Sequence, residues 1–334
     1  MSWYGVWEKE IKNVDPKKVS ALIVTHNRKN ALLRCLKAVL GQTFQVDSVI
    51  LVDNASADGT LELLQKEGIV NGTVFPADTL VPAGTAEGTK ICVLRKESNT
   101  GGSGGFFAGM KAVDENLEYD YFWLMDDDGY PDKNCLKKLV RIVDTYGYVM
   151  PVSFDINDPG KLSCPIRKKN GRKTTDFRAL YADYGEILHF VTPFNGVLLT
   201  KECVRKTGYI DPKYFLWGDE YDHCYRCRKQ GFEPVTYLRA RFFHPADGLM
   251  HVPILFGLIK VPYTESKLRM VCLARNYTYI YLHYGQQYRI PLKLMLYAWL
   301  FLVKRRGDIG GFLLYLASVA DGFRGDFTRH LQYL

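Results

Sequence analysis

Tyr121-Phe122-Trp123-Leu124-Met125-Asp126-Asp127-Asp128-Gly129 is a run of large apolar residues that stops abruptly at three consecutive carboxylates and a glycine. Short and apolar on both faces, the run predicts a central strand buried in a sheet. Three adjacent carboxylates repel one another, so placing them at one strand end is costly without a compensating cation. Alternate strand residues point the same way, so Asp126 and Asp128 can face one site with Asp127 turned aside. Two carboxylates completed by solvent or phosphate oxygens suit a hard divalent cation, Mn²⁺ or Mg²⁺. The triplet alone equally fits a solvated acidic turn with Asp132 as N-cap of the next helix.

The preceding chain favours a site. Val19–Val24 forms a first strand ending in Thr25-His26-Asn27-Arg28, and apolar residues from Leu32 to Leu40 then recur at helical spacing. Ser48–Val52 is a second strand ending in Asp53-Asn54-Ala55-Ser56, followed by a helix opened by Asp58-Gly59-Thr60. Strand–helix alternation predicts a parallel α/β sheet, whose ligands gather at the carboxyl ends of the strands. Residues 69–90 read as a surface insertion or hairpin. Ile91–Leu94 is a third strand and leads into Asn99-Thr100-Gly101-Gly102-Ser103-Gly104-Gly105, where four glycines in five residues allow close backbone approach to a phosphate. This is neither a Walker loop nor a Rossmann fingerprint. A helix is expected from Asp132 to about Thr145, then a strand at Tyr148–Met150. The polar, basic stretch 155–186 reads as a mobile excursion over the site.

Strand pattern returns at 188–200, around Pro193-Phe194-Asn195-Gly196. A second chemical cluster is Tyr214-Phe215-Leu216-Trp217-Gly218-Asp219-Glu220-Tyr221-Asp222, opening a helix through Arg226. Asp219, Glu220 and Asp222 fit the positive end of a helix dipole, or one of them is a base at a substrate pocket. His244, after a further strand, offers the nitrogen that a two-carboxylate metal site lacks. Cys224-x-x-Cys227 has no second pair at zinc spacing and reads as packing.

Composition bounds the partners. The chain has 334 residues and a formal charge of +8. From His251 onward there are eleven Lys/Arg against four Asp/Glu. The excess points to an anionic partner such as a membrane surface, and no nucleic-acid motif accompanies it. Residues 1–18 are polar with Trp3, Tyr4 and Trp7, and no apolar signal segment stands there, so a reduced cytoplasmic protein is expected. Leu294–Val303 and Phe312–Ala320 are too short to span a bilayer. They suit helices in the membrane interface, or helices packed on the catalytic domain or on a second copy in a homo-oligomer. Residues 1–250 are expected to form the catalytic domain and 251–334 a basic, aromatic-rich helical extension.

The order of these motifs resembles family 2 glycosyltransferases of the GT-A fold over about residues 18–250, with bacterial galactofuranosyltransferases and rhamnosyltransferases nearest. The glycine loop and the Asp-Asp-Asp triplet carry the specific part. The resemblance implies an inverting, metal-dependent transfer from a UDP-sugar, chiefly UDP-galactofuranose, to a hydroxyl of a glycan or lipid-linked glycan at the inner membrane face. dTDP-rhamnose is the alternative donor. It assigns the nucleotide sugar to Thr25, Asn27, Arg28, Asp53, Asn99, Gly102, Asp126 and Asp127. The metal falls to Asp126, Asp128 and His244, and the acceptor to Trp217 and Asn195. The family's base is an aspartate six residues before the helix arginine. Glu220 occupies that position here, with Asp219 beside it as rival and as expected helix cap. A nucleotidyltransferase would want more cationic clamps than Arg28 and Lys96 supply. A non-catalytic sugar-nucleotide-binding module would have no use for Glu220 and His244 beside the metal pair.

Overall fold

A computed structural model describes residues 17–72, 74–189, 195–246 and 249–334. The lead-in with Trp3, Tyr4 and Trp7, and Pro193-Phe194, lie outside the described residues. The strands are β1 (Val19–Thr25), β2 (Ser48–Asp53), β3 (Leu80–Ala86), β4 (Thr89–Arg95), β5 (Tyr121–Asp126), β6 (Tyr130–Pro131) and β7 (Tyr148–Asp155). They continue with β8 (Lys161–Arg167), β9 (Lys173–Asp176), β10 (Ile187–Leu188), β11 (Val197–Thr200), β12 (Val235–His244), β13 (Met250–Ile254) and β14 (Ile259–Tyr263). Between them lie α1 (Lys29–Leu40), α2 (Thr60–Lys66), α3 (Gly101–Asn116), α4 (Cys135–Tyr146), α5 (Phe177–Tyr184), α6 (Lys201–Thr207) and α7 (Asp219–Lys229). Helices α8 (Lys267–His283), α9 (Arg289–Ala298) and α10 (Ile309–Arg324) follow.

The main sheet runs β10-β12-β7-β11-β5-β1-β2-β4-β3. Strands β4, β2, β1 and β5 are mutually parallel, while β11 is antiparallel to both β5 and β7. This is the mixed, mainly parallel α/β sheet that the alternating pattern predicts. Apolar residues fill both faces, which is why β5 shows no alternation: Leu22, Leu124 and Phe106 of α3 pack on one side, Ile23, Trp123 and Leu36 of α1 on the other. Parallel pairing places the ends of β1, β2 and β5 on one edge, with Thr25 opposite Asp53 and Val24 opposite Asp126.

Three local expectations change. The glycine run is not a free loop but the first turn of α3. A Cβ on Gly105 would come within 2.5 Å of Val24 and one on Gly109 within 2.4 Å of Leu22, so these glycines seat α3 against β1. Gly102 alone of the run faces open space. Residues 155–186 are built rather than loose: β8, β9 and α5 bury Leu162, Ile166 and Leu180 against Phe154 and Leu238. Helix α4 begins at Cys135 after Asn134, and the Asp132 carboxylate closes a turn onto the Asn134 amide instead of capping.

The C-terminal segment is a β13–β14 hairpin followed by α8, α9, a π-helical stretch at Trp299–Lys304 and α10, with its own core of Tyr297, Leu300, Phe301, Tyr315 and Val319. No helix among the described residues is long and apolar enough to cross a membrane. Phe301, within the Leu294–Val303 stretch that suits a membrane-interface helix, is buried in this core. Exposed apolar side chains include Phe256 (95% exposed) and Leu258 (84%) at the hairpin tip, Leu292 and Met295 on α9, Leu302 and Val303 on the π-helical stretch, and Ile309, Leu313 and Phe323 on α10.

Candidate active site

The strand ends frame a cleft of about 560 Å³ lined by Thr25, Arg28, Asn99, Gly102, Asp126, Asp127, Asp128, Asn195, Trp217, Asp219, Glu220 and His244. Of the residues singled out in the sequence, Asn27 and Asp53 do not line it. Both build the loops behind it: the Asn27 side chain accepts from the Ala57 amide at 2.8 Å and Asp53 from the Ser56 amide at 2.9 Å. Asn54 does line it. Its carbonyl accepts from the Thr100 amide and its NH₂ donates to Gly101 O, which fixes the glycine turn at the end of β2.

The aspartates divide as expected, although β5 ends at Asp126 and the turn that follows, rather than strand alternation, orients Asp127 and Asp128. Asp127 turns inward, buried, and accepts from Thr25 Oγ1 at 2.6 Å and Arg28 at 3.1 Å. Asp126 and Asp128 face the cleft. Asn195 is buried and its side-chain oxygen holds the Asp126 amide at 3.2 Å, so it braces the end of β5. His244 arrives through register. Phe242 and Phe243 pair antiparallel with Pro131 and Tyr130, which brings the next residue level with the end of the triplet. Gly129 is required there, since a Cβ would sit 2.3 Å from Phe242.

His244 Nδ1 lies 2.6 Å from Pro245 O, which makes it the protonated nitrogen and turns Nε2 toward Asp128 Oδ1 at 3.2 Å. That oxygen is buried and has no hydrogen-bond partner among the described residues. With the neutral imidazole two lone pairs meet, so the contact is favourable only with a proton or a cation between them. Burial, then Asp128 and Asp127, push Asp126 up to about 8. Burial opposes charge on Asp128 and His244 as well, but their mutual attraction prevails, lowering Asp128 and raising His244. The donor set of two carboxylates and an imidazole oriented by a carbonyl fits a divalent cation. It is not a closed cage: among the described residues no three acidic, His or Cys side chains already surround one point, and Asp128 Oδ2 is held by Arg28 at 2.8 Å.

Across the cleft, Phe215, Trp217 and Gly218 all have positive φ, a left-handed run that launches α7. Nothing in the residue pattern signals what holds it. Buried Asn276 of α8 donates to the carbonyls of Tyr214, Leu216 and Trp217 at 2.7–2.9 Å. Gly218, not Asp219, is the N-cap, and the carboxylate that serves this turn is Glu220, accepting from the Gly218 amide at 2.9 Å. Asp219 is instead buried. Its burial, with Glu220 and Asp126 nearby, raises its pKa well above the carboxylate range. Asp222 leaves the list of candidate bases: it accepts from Tyr214, Tyr284 and Arg226 and is held below its ordinary value despite burial.

A sheet edge carrying this acidic pair, with a second pair of carboxylates facing it, defines a glycosyltransferase of the GT-A fold. The chain belongs to glycosyl transferase family 2, whose family model matches residues 20–199. It is 30% identical over 318 residues to galactofuranosyltransferase GlfT1 of Mycolicibacterium smegmatis, covering 93% of this chain and 98% of that one. With GlfT1 of Mycobacterium tuberculosis it shares 29% over 301 residues, covering 88% and 92%. Among solved structures, the mannosyltransferase PcManGT from Pyrobaculum calidifontis, in complex with GDP-Man and Mn²⁺, superposes with a TM-score of 0.53 at 14% identity. That match covers 96% of this chain and 91% of the other, and it shows the shared fold.

Proposed function

We propose that this enzyme transfers galactofuranose from UDP-galactofuranose, with inversion, to a hydroxyl of a growing lipid-linked glycan. The similarity to GlfT1 over nearly the full length of both chains carries the donor. The cleft supports the chemistry. Thr25 and Asn54 shape the nucleoside end, and Gly102 at the start of α3 leaves room for the diphosphate where the helix dipole favours negative charge. Asp126, Asp128 and His244 would hold Mn²⁺ or Mg²⁺. Bound there, the cation neutralises the diphosphate as it leaves. Arg28 keeps Asp127 and Asp128 in place. Glu220 is the base, with its carboxylate oriented by the Gly218 amide and by neighbouring Asp219. Asp219 is buried beside it, where burial and the nearby carboxylates disfavour its charged form. Trp217 offers a ring for the acceptor sugar, while Asn195 acts through the Asp126 backbone.

The donor is tested by measuring UDP or dTDP release, with acceptor, from UDP-galactofuranose, UDP-galactopyranose and dTDP-rhamnose. Turnover with UDP-galactofuranose alone is expected; turnover confined to dTDP-rhamnose overturns the assignment.

Residues 251–334 form the surface that meets the inner leaflet. The support is the exposed Phe256 and Leu258 tip beside Lys260, with Met295 and Val303 beside Lys304 and Arg306. Cations flanking apolar side chains suit an interfacial position. Sedimentation with anionic vesicles is expected and should be weakened by high salt. The Phe256→Ser/Leu258→Ser double variant should lose about 3 kcal/mol or more of binding, as two large apolar side chains no longer insert. Undiminished sedimentation of that variant excludes the hairpin tip.

A further inference from the structure

A second cavity, of about 270 Å³, lies between the β13–β14 hairpin and helices α8, α9 and α10. Tyr277, Tyr281, Tyr297 and Tyr315 form its walls, Lys293 lines it, and Leu249 lines both this cavity and the catalytic cleft. Tyr277 packs edge-on against Tyr221, the neighbour of Glu220, with centroids 5.7 Å apart. The cavity therefore adjoins the side of the cleft where the base stands.

Its charge is unbalanced. No carboxylate lines it, and Lys293 has no ion-pair or hydrogen-bond partner among the described residues. Arg289 stands one turn earlier on α9, over the Tyr281 ring at 5.7 Å. Like charges spaced i, i+4 destabilise a helix, and an amine facing aromatic walls loses hydration. Each cost is recovered if an anion binds between them.

We propose that this cavity is the acceptor subsite, and that Lys293 binds a phosphate group carried by the acceptor while the tyrosine walls take its apolar or sugar portion, with Arg289 outside the lining adding positive potential. The position of Lys293 agrees with its titration: burial and the Arg289 charge both lower its pKa, and an anion would restore it. Leu292 and Met295 point outward from the same helix, so the phosphate end of the ligand would lie near the exposed apolar face. Lys293 thus acts in acceptor specificity, at a distance from the reacting atoms. The inference rests on the glycosyl-transfer reading for its location but not for its measurement.

The test has a binding arm and a kinetic arm. With the cleft filled by saturating UDP and Mn²⁺, the full chain is titrated calorimetrically with an alkyl pyrophosphate, inorganic pyrophosphate and a neutral alkyl glycoside of the same chain length. The alkyl pyrophosphate should bind, and Lys293→Met should weaken it by about 10- to 100-fold, the usual worth of a hydrogen bond to a charged group. Inorganic pyrophosphate binding as tightly would reassign the site to free phosphate and overturn the acceptor role. Equal binding of the neutral glycoside, or no effect of Lys293→Met, overturns the anion site. In the kinetic arm, Lys293→Met should raise KM for a phosphate-linked acceptor by a similar factor. It should leave kcat, the KM for a neutral acceptor and acceptor-independent donor hydrolysis unchanged. Lys293→Arg should restore most of the loss, whereas a merely structural lysine would affect both acceptors alike. Failure of every UDP-sugar to turn over would sink the functional proposal and still leave the binding arm readable.

Discussion

Asp128→Ala is expected to abolish turnover and Mn²⁺-dependent UDP binding while leaving the fold intact. Asp128 Oδ1 is the buried oxygen without a hydrogen-bond partner, and it faces the free nitrogen of His244. Its removal deletes one of two carboxylates that must meet the cation. The loss should exceed the roughly 10–100-fold typical when a residue that only orients a metal ligand is removed. The substitution gives up the pairing of Asp128 with His244 and Arg28 but relieves repulsion on Asp126, and Asp127 keeps Thr25 and Arg28. The melting temperature in chelator should therefore change little. The pH dependence has a definite sign. Asp126, pushed up to about 8, and His244, raised by its carboxylates, must both shed protons to ligate a metal. Mn²⁺ affinity, read by electron paramagnetic resonance, should rise between pH 6.5 and 8 by up to about tenfold per unit for each proton displaced. Full activity of Asp128→Ala in chelator, or an affinity that falls across that interval, would reject this metal site.

Much of this was legible because the fold places chemistry at strand ends. An apolar run closed by carboxylates reads as a buried strand meeting a polar edge, so β5 follows from residue order. The inward setting of Asp127, bound to Thr25 and Arg28, agrees with the alternation expected for a strand, but the turn after Asp126 sets it. Two kinds of information were not in the pattern. One is what a glycine is for: Gly105 lies in the run that reads as phosphate-binding freedom, yet its missing side chain, like that of Gly109 in the helix beyond, admits a strand residue, Val24 for the one and Leu22 for the other. Only a neighbouring strand can show that. The other is long-range bracing. Asn276 lies nearly sixty residues after the turn it clamps, inside a helix whose sequence otherwise reads as apolar packing. Positive φ at Phe215 and Trp217 is equally unforeseeable, since aromatic residues carry no signal for it. The 155–186 stretch misled because its surface is basic, whereas the few apolar positions that decide its packing are spaced irregularly through β8 and α5.

The same clamped turn decides which carboxylate is the base. On α7 adjacent residues diverge by about 100°, so Asp219 and Glu220 cannot share a direction. The residue pattern predicts Asp219 as the cap and Glu220 as the base; the geometry gives the Gly218 amide to Glu220 and buries Asp219 near Asp126. That contact aims Glu220 without taking its charge, for an amide donor leaves the carboxylate ionised. Glu220→Gln keeps an oxygen for Gly218 and cannot take a proton. It should lower kcat by about 10²–10⁴-fold with UDP binding and melting temperature little changed. Asp219→Asn resembles the protonated acid that burial already favours, and should cost less than about tenfold in kcat, under about 1.4 kcal/mol of barrier. A bound cation would draw the Asp219 pKa down, so the comparison is made with saturating Mn²⁺. An inactive Asp219→Asn beside a nearly normal Glu220→Gln would move the base to Asp219. Glu220 would then be left as the residue that closes the first turn of the helix.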